Sequence, residues 1–511
     1  MSWWWRTKPR SIIKTVLWFK EFGKLEGQNW NEEDPSRVSV FNNQKIHPVR
    51  REYIYNAHGD EDALIKNLTI STYLSGKKDS RETESNGRND KITFEFFGFG
   101  YIDKNGIIKI TKVGRRIINN SFDSEDYLKQ LLKLEFPNVV SPSSDFHEGE
   151  YVFPFELFCR AIDKFGYLNR SEIVLLFGCK SQSGYEEAFN GIQKFRDKYE
   201  KLPNKNRTSD VKALTQQVFI DTYGSIPNQI NSYYDYAEAF CRCLVYTGMF
   251  KTSGRSLATK LRVPEYEKTN FSLILNNYSF CHRSFSDMDS YMEYYGDTEN
   301  VALPWDNVAA RKILLEEKKN HLEALKTDLN FATNFKGEKD VSVVLQDAID
   351  YANDLISKSD VSLSELKDAE KAIVGLITTA REHEFINSIS KTDNARKEIL
   401  EKYDEIMNDN EDLAALWLEV NTWKSLIAIK GEKVVKRNFE IEEDLTPKSF
   451  APGIGNTPDM EMYLDDCIII PEVSLMTGVR QWEHEASSVI DHVLSFIKDY
   501  NSFKVRGQQL V

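Results

Sequence analysis

The sequence predicts a multidomain α+β protein, with hairpin-and-helix modules at its start, an all-α stretch in its middle and a short α/β sheet domain at its end. Three observations carry that reading. A strong hairpin signal with a helix beside it lies at Thr93 to Thr111, residues from Asp306 to about Asn408 are poor in glycine and apolar at helical spacing, and two short β-rich runs near the C-terminus each present an acid. At 511 residues, and roughly 100–200 residues per domain, there is room for three or four domains. The 41% hydrophobic and 28% charged composition, with 25 Gly and 14 Pro, excludes collagen-like and wholly disordered chains.

The first element is the hairpin. TFEFFGFGYI and IIKIT flank Asp103-Lys104-Asn105-Gly106, and Asn-Gly between β-rich runs is the strongest short-range hairpin signal because both turn residues must tolerate positive φ. Thr111 then suits an N-cap, and KVGRRII can wind into a helix. Lys104, Lys109, Lys112, Arg115 and Arg116 surround the hairpin, which fits a winged-helix-like module over residues 1–150. A packing hairpin with a solvated basic face fits that segment equally well. A second winged-helix-like module over 151–300 would use a helix around Arg170 to Gly178, an apolar helix from Tyr234 to Tyr246 and a ribbon pivoting on Ser253-Gly254. Two charged stretches, Ser75 to Asp90 and Asp197 to Lys212, read as exposed loops.

Residues 301–408 read as an all-α linker. Ile313, Leu314, Leu322, Leu325 and Leu329 are expected on one helix face, and Leu363, Leu366, Ile373 and Ile377 on another. Interruptions near Asn334 to Gly337 and Ser357 to Ser359 favour a packed bundle over a continuous coiled coil. Residues 409–511 then form the C-terminal α/β domain.

A net charge of −13 speaks at first against nucleic acid, which needs a basic surface. The average hides a split: residues 1–300 carry 41 Lys+Arg against 40 Asp+Glu, and residues 301–511 carry 25 against 39. The first 120 residues hold 21 bases and 15 acids, so a basic surface can form there. Six cysteines are too sparse for a disulfide scaffold, the opening ten residues carry no apolar run of leader type, and no stretch approaches 18 uncharged apolar residues. A reduced, soluble, cytoplasmic protein with no membrane partner is expected. Cys241 and Cys243 diverge by about 200° on a helix and cannot share a tetrahedral zinc, Cys281-His282 has no convincing second pair, and no GxxxxGK[ST] supports an ATP motor.

The chemistry lies after Glu411. DLAALWLEVNTWKSLIAI sets Glu419 on a strongly apolar helix, where a carboxylate is costly unless it is paired or metal-bound. Asp459 follows Pro458 and precedes MEMYL. After a turn at Asp465-Asp466, the apolar run to Pro471 leads into Glu472-Val473-Ser474. Two adjacent strands would each present an acid, in the metal-nuclease pattern PD…(D/E)xK with Ser474 where the lysine belongs. Mg²⁺ prefers a few carboxylate oxygens with waters and phosphate in octahedral geometry. It lowers the pKa of a bound water and offsets charge growing on the phosphate. The bland reading of the same residues is a hairpin with exposed acids.

Several stretches in this order resemble one family. They are KPRSIIK with LEGQNW, FGFGYIDKNGIIKITKVGRRIINN followed by YLKQLLKLEFPN, then YTGMF, MEYYG, LEVNTWKSLIAI and GNTPDMEMYLDDCIIIPEVS. Over nearly its whole length the chain resembles the AlwI-like type IIS restriction endonucleases, which include strand-nicking enzymes. The resemblance implies N-terminal recognition of double-stranded DNA, a helical linker and a C-terminal PD-(D/E)XK-like cleavage domain using Mg²⁺. It implies Glu419, Asp459 and Glu472 as metal-site acids, and Glu485 and His492 as polar positions on the helix that follows. It also implies a cognate DNA methyltransferase, and a second subunit or transient dimer for second-strand cleavage.

In the helix expected from Trp482 to Ile497, Glu485 and His492 lie two turns apart on one face and cannot both touch one metal without a bend. Glu485 suits an acid or base standing in for the missing lysine, and His492 a phosphate contact or a solvated position. The family continues with another strand beyond NSFKVRGQQLV, so Lys504-Val505-Arg506 reads as a strand beginning, and the chain as truncated at its C-terminus. Arg10, Lys112, Arg115 and Arg116 are candidate DNA contacts, to phosphate rather than to bases. The rival expectations are a catalytically impaired or truncated DNA-binding protein of the same architecture, and a scaffold that uses the helical stretch.

Overall fold

The computed structural model describes residues 3–9, 12–38, 45–58, 80–142, 145–203, 207–227, 230–253, 257, 259–327, 341–407, 414–429, 434–441, 445–447, 458–464, 467–475, 490 and 509–510. It is a helix-rich α+β protein of two compact units, Met1–Pro304 and Trp305–Val511.

The first unit begins with α1 (Ile12–Gly23), β1 (Asp34–Val38), β2 (Lys45–Ile46), α2 (Pro48–His58) and α3 (Ser80–Phe96). The predicted hairpin follows as β3 (Gly100–Ile102) and β4 (Ile108–Ile110), paired Gly100 to Ile110 and Ile102 to Ile108. Its turn is built by Asp103, whose Oδ1 accepts from the Asn105 and Ile107 amides at 2.9 Å each, with Gly106 at φ +83°. The Thr111 hydroxyl accepts from the Gly114 amide at 3.1 Å and caps α4 (Lys112–Ile118), as its sequence signature requires. One part of the hairpin reading is corrected: Thr93 to Phe96 are the last turn of α3. A short apolar run fits helix and strand alike, and here Phe94 is buried against Phe19 and Phe22 of α1.

The expected loop at Ser75 to Asp90 is likewise helix from Ser80 onward, while its first residues lie outside the described ones. Beyond α5 (Ser124–Lys133) come α6 (Pro154–Phe165), β5 (Tyr167–Asn169), α7 (Arg170–Leu176), α8 (Tyr185–Tyr199), α9 (Thr208–Tyr223), α10 (Ile230–Tyr246), β6 (Lys251–Ser253) and β7 (Lys260–Arg262). Helices α8 and α9 take both ends of the loop expected at Asp197 to Lys212, because the solvated face of an amphipathic helix has the composition of a loop. The three strands form one antiparallel sheet, with β7 between β5 and β6. Helices α11 (Lys268–Asn277) and α12 (Met288–Tyr295) complete the unit.

The extreme N-terminus ties this unit together. Trp3 stacks on Phe136 and packs against Phe158 and Phe177, and its indole donates to the Cys179 carbonyl at 2.8 Å. Trp5 meets Phe96 and Phe240 edge-on, and its indole nitrogen lies 3.4 Å from Cys243 Sγ. Both rings are buried, so residues on either side of position 150 share one core.

The second unit opens with α13 (Val308–Thr327), α14 (Val341–Ser357) and α15 (Leu363–Asn387). Leu314, Leu315 and Leu322 of α13, Leu345, Ile349 and Leu355 of α14, and Leu366, Ile373 and Ile377 of α15 are buried. Ile313 is 56% exposed, which corrects its place on the buried face: at 100° per residue the stripe centres on Leu314 and Leu315 instead. Leu363, in the first turn of α15, is 37% exposed and also falls outside the stripe. Leu325 is half-buried, and Leu329 with Asn334 to Gly337 lies outside the described residues. The break expected near Ser357 to Ser359 is present, and Ser362 caps α15 in a reciprocal box with Glu365.

Helices α16 (Asp393–Met407) and α17 (Ala414–Ile429) lead into a four-stranded sheet of β8 (Val434–Arg437), β9 (Met460–Tyr463), β10 (Cys467–Ile469) and β11 (Gln509–Leu510). The spatial order is β11-β10-β9-β8, with only the β10–β11 pair parallel. Lys504-Val505-Arg506 lie outside the described residues, and the strand that pairs with β10 is at Gln509–Leu510. Trp417, Val420, Trp423 and Ile427 of α17 form one core with Val435, Met460 and Met462 of the sheet and with Phe385, Ile399 and Ile406 of the preceding helices. Arg437 extends a two-pronged ion pair to Glu382 of α15, at 3.1 and 2.8 Å.

Candidate active site

The local pairing of β9 with β10 places two acids together. Ile468 pairs with Tyr463 and Ile469 with Met462, and the same antiparallel register carried three residues further sets Glu472 opposite Asp459. Their contacts agree. The Val473 amide donates to Asp459 Oδ2 at 2.9 Å, and the Asp459 amide lies 3.4 Å from Glu472 Oε2. On the other side, β8 holds the strand entry: the Asn438 amide donates to the Asp459 carbonyl at 2.9 Å, and Asn438 Nδ2 donates to the Pro458 carbonyl at 2.9 Å. The backbone on both sides of Asp459 is therefore fixed by the sheet.

Glu419 comes to this pair from α17. Its carboxyl is pushed up from 4.5 to about 7, first by burial and then by the negative charges of Asp459 and Glu472. The apolar helix explains the burial, because Val420 and Trp423 beside it are core residues. Asp459 and Glu472 thus lie close enough to Glu419 for their charges to raise its proton affinity.

Among the described residues, no group of three or more His, Cys, Asp or Glu side chains is arranged to hold a metal ion. The chemistry of the donor set nevertheless fits a hard divalent cation: three carboxylates, with the Glu419 carboxyl raised to about 7 by burial and by the charges of Asp459 and Glu472. Glu485, His492 and Arg10 lie outside the described residues.

The three basic candidates on α4 are present but point to different acids. Lys112, 76% exposed, pairs with Asp297 at 2.7 Å, Arg115 with Glu26 at 2.5 Å and Arg116 with Asp126 at 2.9 Å. The structure brings none of them to a shared anion site.

Sequence reading missed the residues around the acids. Glu461 is buried, accepts from Tyr463 Oη at 2.5 Å and from Asn438 Nδ2 at 2.9 Å, and has Lys436 Nζ at 3.5 Å. Its two-residue spacing from Asp459 was a usable signal, since alternate strand residues share a face. Lys436 and Asn438 carried none, because their pairing with β9 is non-local.

The family model of the AlwI restriction endonuclease matches residues 96–505. No curated protein matches the chain. Among solved structures, the binding domain of the BpuJ1 endonuclease, crystallised with pyrene- and phenanthrene-modified DNA, aligns at 13% identity and a TM-score of 0.32, covering 56% of this chain and 93% of that one. No described helix is long and apolar enough to cross a membrane. With the family model covering most of its length, including the strands and helix that carry Glu419, Asp459 and Glu472, the chain belongs to the AlwI restriction endonuclease family.

Proposed function

We propose that this chain is a type IIS-like restriction endonuclease that binds a short asymmetric duplex sequence and hydrolyses phosphodiesters at a fixed distance outside it. Residues 1–150 and 151–300 would read the DNA, 301–408 would act as the helical linker and 409–511 would cut. The observation that carries the reading is the meeting of Asp459, Glu472 and Glu419, with the Glu419 carboxyl raised by its burial and by the charges of the other two. Helix α6, strand β5, helices α7 to α10 and the ribbon β6–β7, with β7 in the middle of the sheet, support a winged-helix-like second module. The sheet with acids at the mouth of β9 and β10, backed by α17, supports a PD-(D/E)XK-like cleavage domain.

Asp459, Glu472 and Glu419 would hold Mg²⁺, which when bound supplies an acidified water and positive charge beside the scissile phosphate. The chain's own part is to fix those carboxylates: Asn438 and the Val473 amide hold Asp459, and Glu419 is carried half-buried on α17. Glu485 is proposed as an acid or base near the site and His492 as a phosphate contact. Arg10, Lys112, Arg115 and Arg116 are proposed as backbone contacts of the reading modules. Cutting both strands would need a second subunit or a transient dimer, and a cognate methyltransferase would protect the host's sites.

The test is a digest of a sequenced plasmid with Mg²⁺, both strands being mapped at the cut. Discrete ends at one offset from a common sequence, lost in Asp459→Ala, are expected. Sequence-selective gel shifts with no cutting at any divalent metal would instead establish a DNA-binding protein of the same architecture.

A further inference from the structure

Adding water to a phosphodiester builds negative charge on the non-bridging oxygens, and a fixed cation beside them lowers the barrier. The position where the nuclease pattern carries its lysine is the neutral Ser474. A cation is present elsewhere on the same sheet. Lys436 of β8 pairs with Glu461 of β9, two pairs along from the Asn438 and Asp459 positions. Because side chains alternate along a strand, Lys436, Asn438, Asp459 and Glu461 share one sheet face, and the β9–β10 register adds Glu472. Val435, Met460 and Met462, on the opposite face, are core residues.

The lysine is also tethered. Its Nζ lies 3.5 Å from Glu461 Oε1, which accepts from Asn438 Nδ2 at 2.9 Å, and Asn438 in turn bonds the Pro458 carbonyl next to Asp459. Tyr463 Oη donates to the other oxygen of Glu461 at 2.5 Å. Glu461 thus meets three donors, and the 3.5 Å separation leaves the ammonium room to turn toward another anion. The Lys436 side chain is 45% exposed, so a polyanion can reach it.

We propose that Lys436 is a catalytic residue whose ammonium contacts the non-bridging oxygens of the scissile phosphate, with Glu461, Asn438 and Tyr463 as its positioning residues. This rests on the nuclease reading above. In the hydrolysis one water is consumed: its oxygen bonds to phosphorus, one sugar–oxygen bond to phosphorus breaks, one of the water's protons ends on the departing sugar oxygen and the other goes with the new phosphomonoester. Lys436 keeps its protons throughout and supplies charge and N–H donors.

The experiment compares full-length wild type, Lys436→Met, Lys436→Arg and Asp459→Ala in single-turnover cleavage of the mapped site. Lys436→Met should be slower by about 10²–10³-fold, and Lys436→Arg should stay within about tenfold of wild type because it keeps the charge. A second readout uses no cleavage. In Ca²⁺, wild type should bind site DNA carrying a neutral methylphosphonate at the cut about threefold or more weakly than all-phosphate DNA, since a charge-assisted contact is lost. Lys436→Met should discriminate between the two less than wild type does, because the charge of the bound cation beside the phosphate remains. The proposal is overturned if Lys436→Met cuts within threefold of wild type, if Lys436→Arg is as slow as Lys436→Met, or if Lys436→Met keeps the wild-type discrimination against methylphosphonate. Wild type that cuts nothing with any divalent metal refutes the nuclease reading itself, an outcome distinct from a cutting enzyme indifferent to Lys436.

Discussion

Removing one negative neighbour of Glu419 should make its carboxyl more acidic by a bounded amount. Glu419 titrates at about 7 against 4.5 for an ordinary glutamate, and burial is the largest of the three causes, ahead of Asp459 and Glu472. Each neighbour therefore supplies less than half of the rise. Neutralising either one, as Asp459→Asn or Glu472→Gln, should bring the midpoint down while leaving it above roughly 5.8. The assay is a proton titration in metal-free buffer, each protein being measured against the same protein carrying Glu419→Gln, so that the difference isolates one carboxyl. Wild type should show a one-proton difference centred near 7, and each single variant a difference centred between about 6 and 7. A wild-type midpoint near 4.5, or variants with an unmoved midpoint, would refute the clustering of the three acids. Adding Mg²⁺ to wild type at pH 7 should release protons, because a cation held by the cluster favours the ionised form.

The same raised carboxyl sets a stability trend. Its folded midpoint lies above its unfolded one, so its contribution is fully present below pH 4.5 and is lost as pH rises through about 7. Glu419→Gln should therefore be more stable than wild type at pH 8, by on the order of 1–2 kcal/mol after allowance for solvent screening. The gap should close toward pH 4.5; urea unfolding at the two pH values measures it, and an equal gap at both would contradict the assignment. Trp3→Ala should cost the first unit about 3–5 kcal/mol, since it empties a buried aromatic site and leaves the Cys179 carbonyl without its indole donor. A change below 1 kcal/mol in chemical denaturation would mean the N-terminal segment does not dock as described. Thr111→Ala should cost about 1–2 kcal/mol by removing the cap of α4, and Thr111→Ser should recover most of it.

What could be read from the sequence was what short range decides. Asn105-Gly106 and Thr111 declare a turn and a cap within a few residues, and both form. Asp459 and Glu472 were legible as a pair because one short turn lies between their strands, so the register follows from alternation. The TFEF run was misread because aromatic residues at adjacent positions satisfy both periods, and burial against α1, far away in the chain, decides between them. Ile313 was misassigned for a related reason: three consecutive apolar residues leave the centre of a helical stripe undetermined until a neighbouring helix packs on it. Lys436 and Asn438 had no local signature at all. They matter only because β8 pairs with β9 across more than twenty residues of intervening chain, and nothing in VVKRNF names that partner.

The two N-terminal tryptophans bear on how the first unit is made. Trp3 bonds to residue 179 and Trp5 to residue 243, so these two side chains cannot find their places until some 240 further residues have been synthesised. At about 5–20 residues per second, that is a wait on the order of ten to fifty seconds with large indole rings uncovered. A bulky fusion ahead of Trp3 would hinder its entry into a pocket already closed on three sides by Phe136, Phe158 and Phe177. Yield of the protein should therefore depend on synthesis rate and temperature more steeply than its final core would suggest.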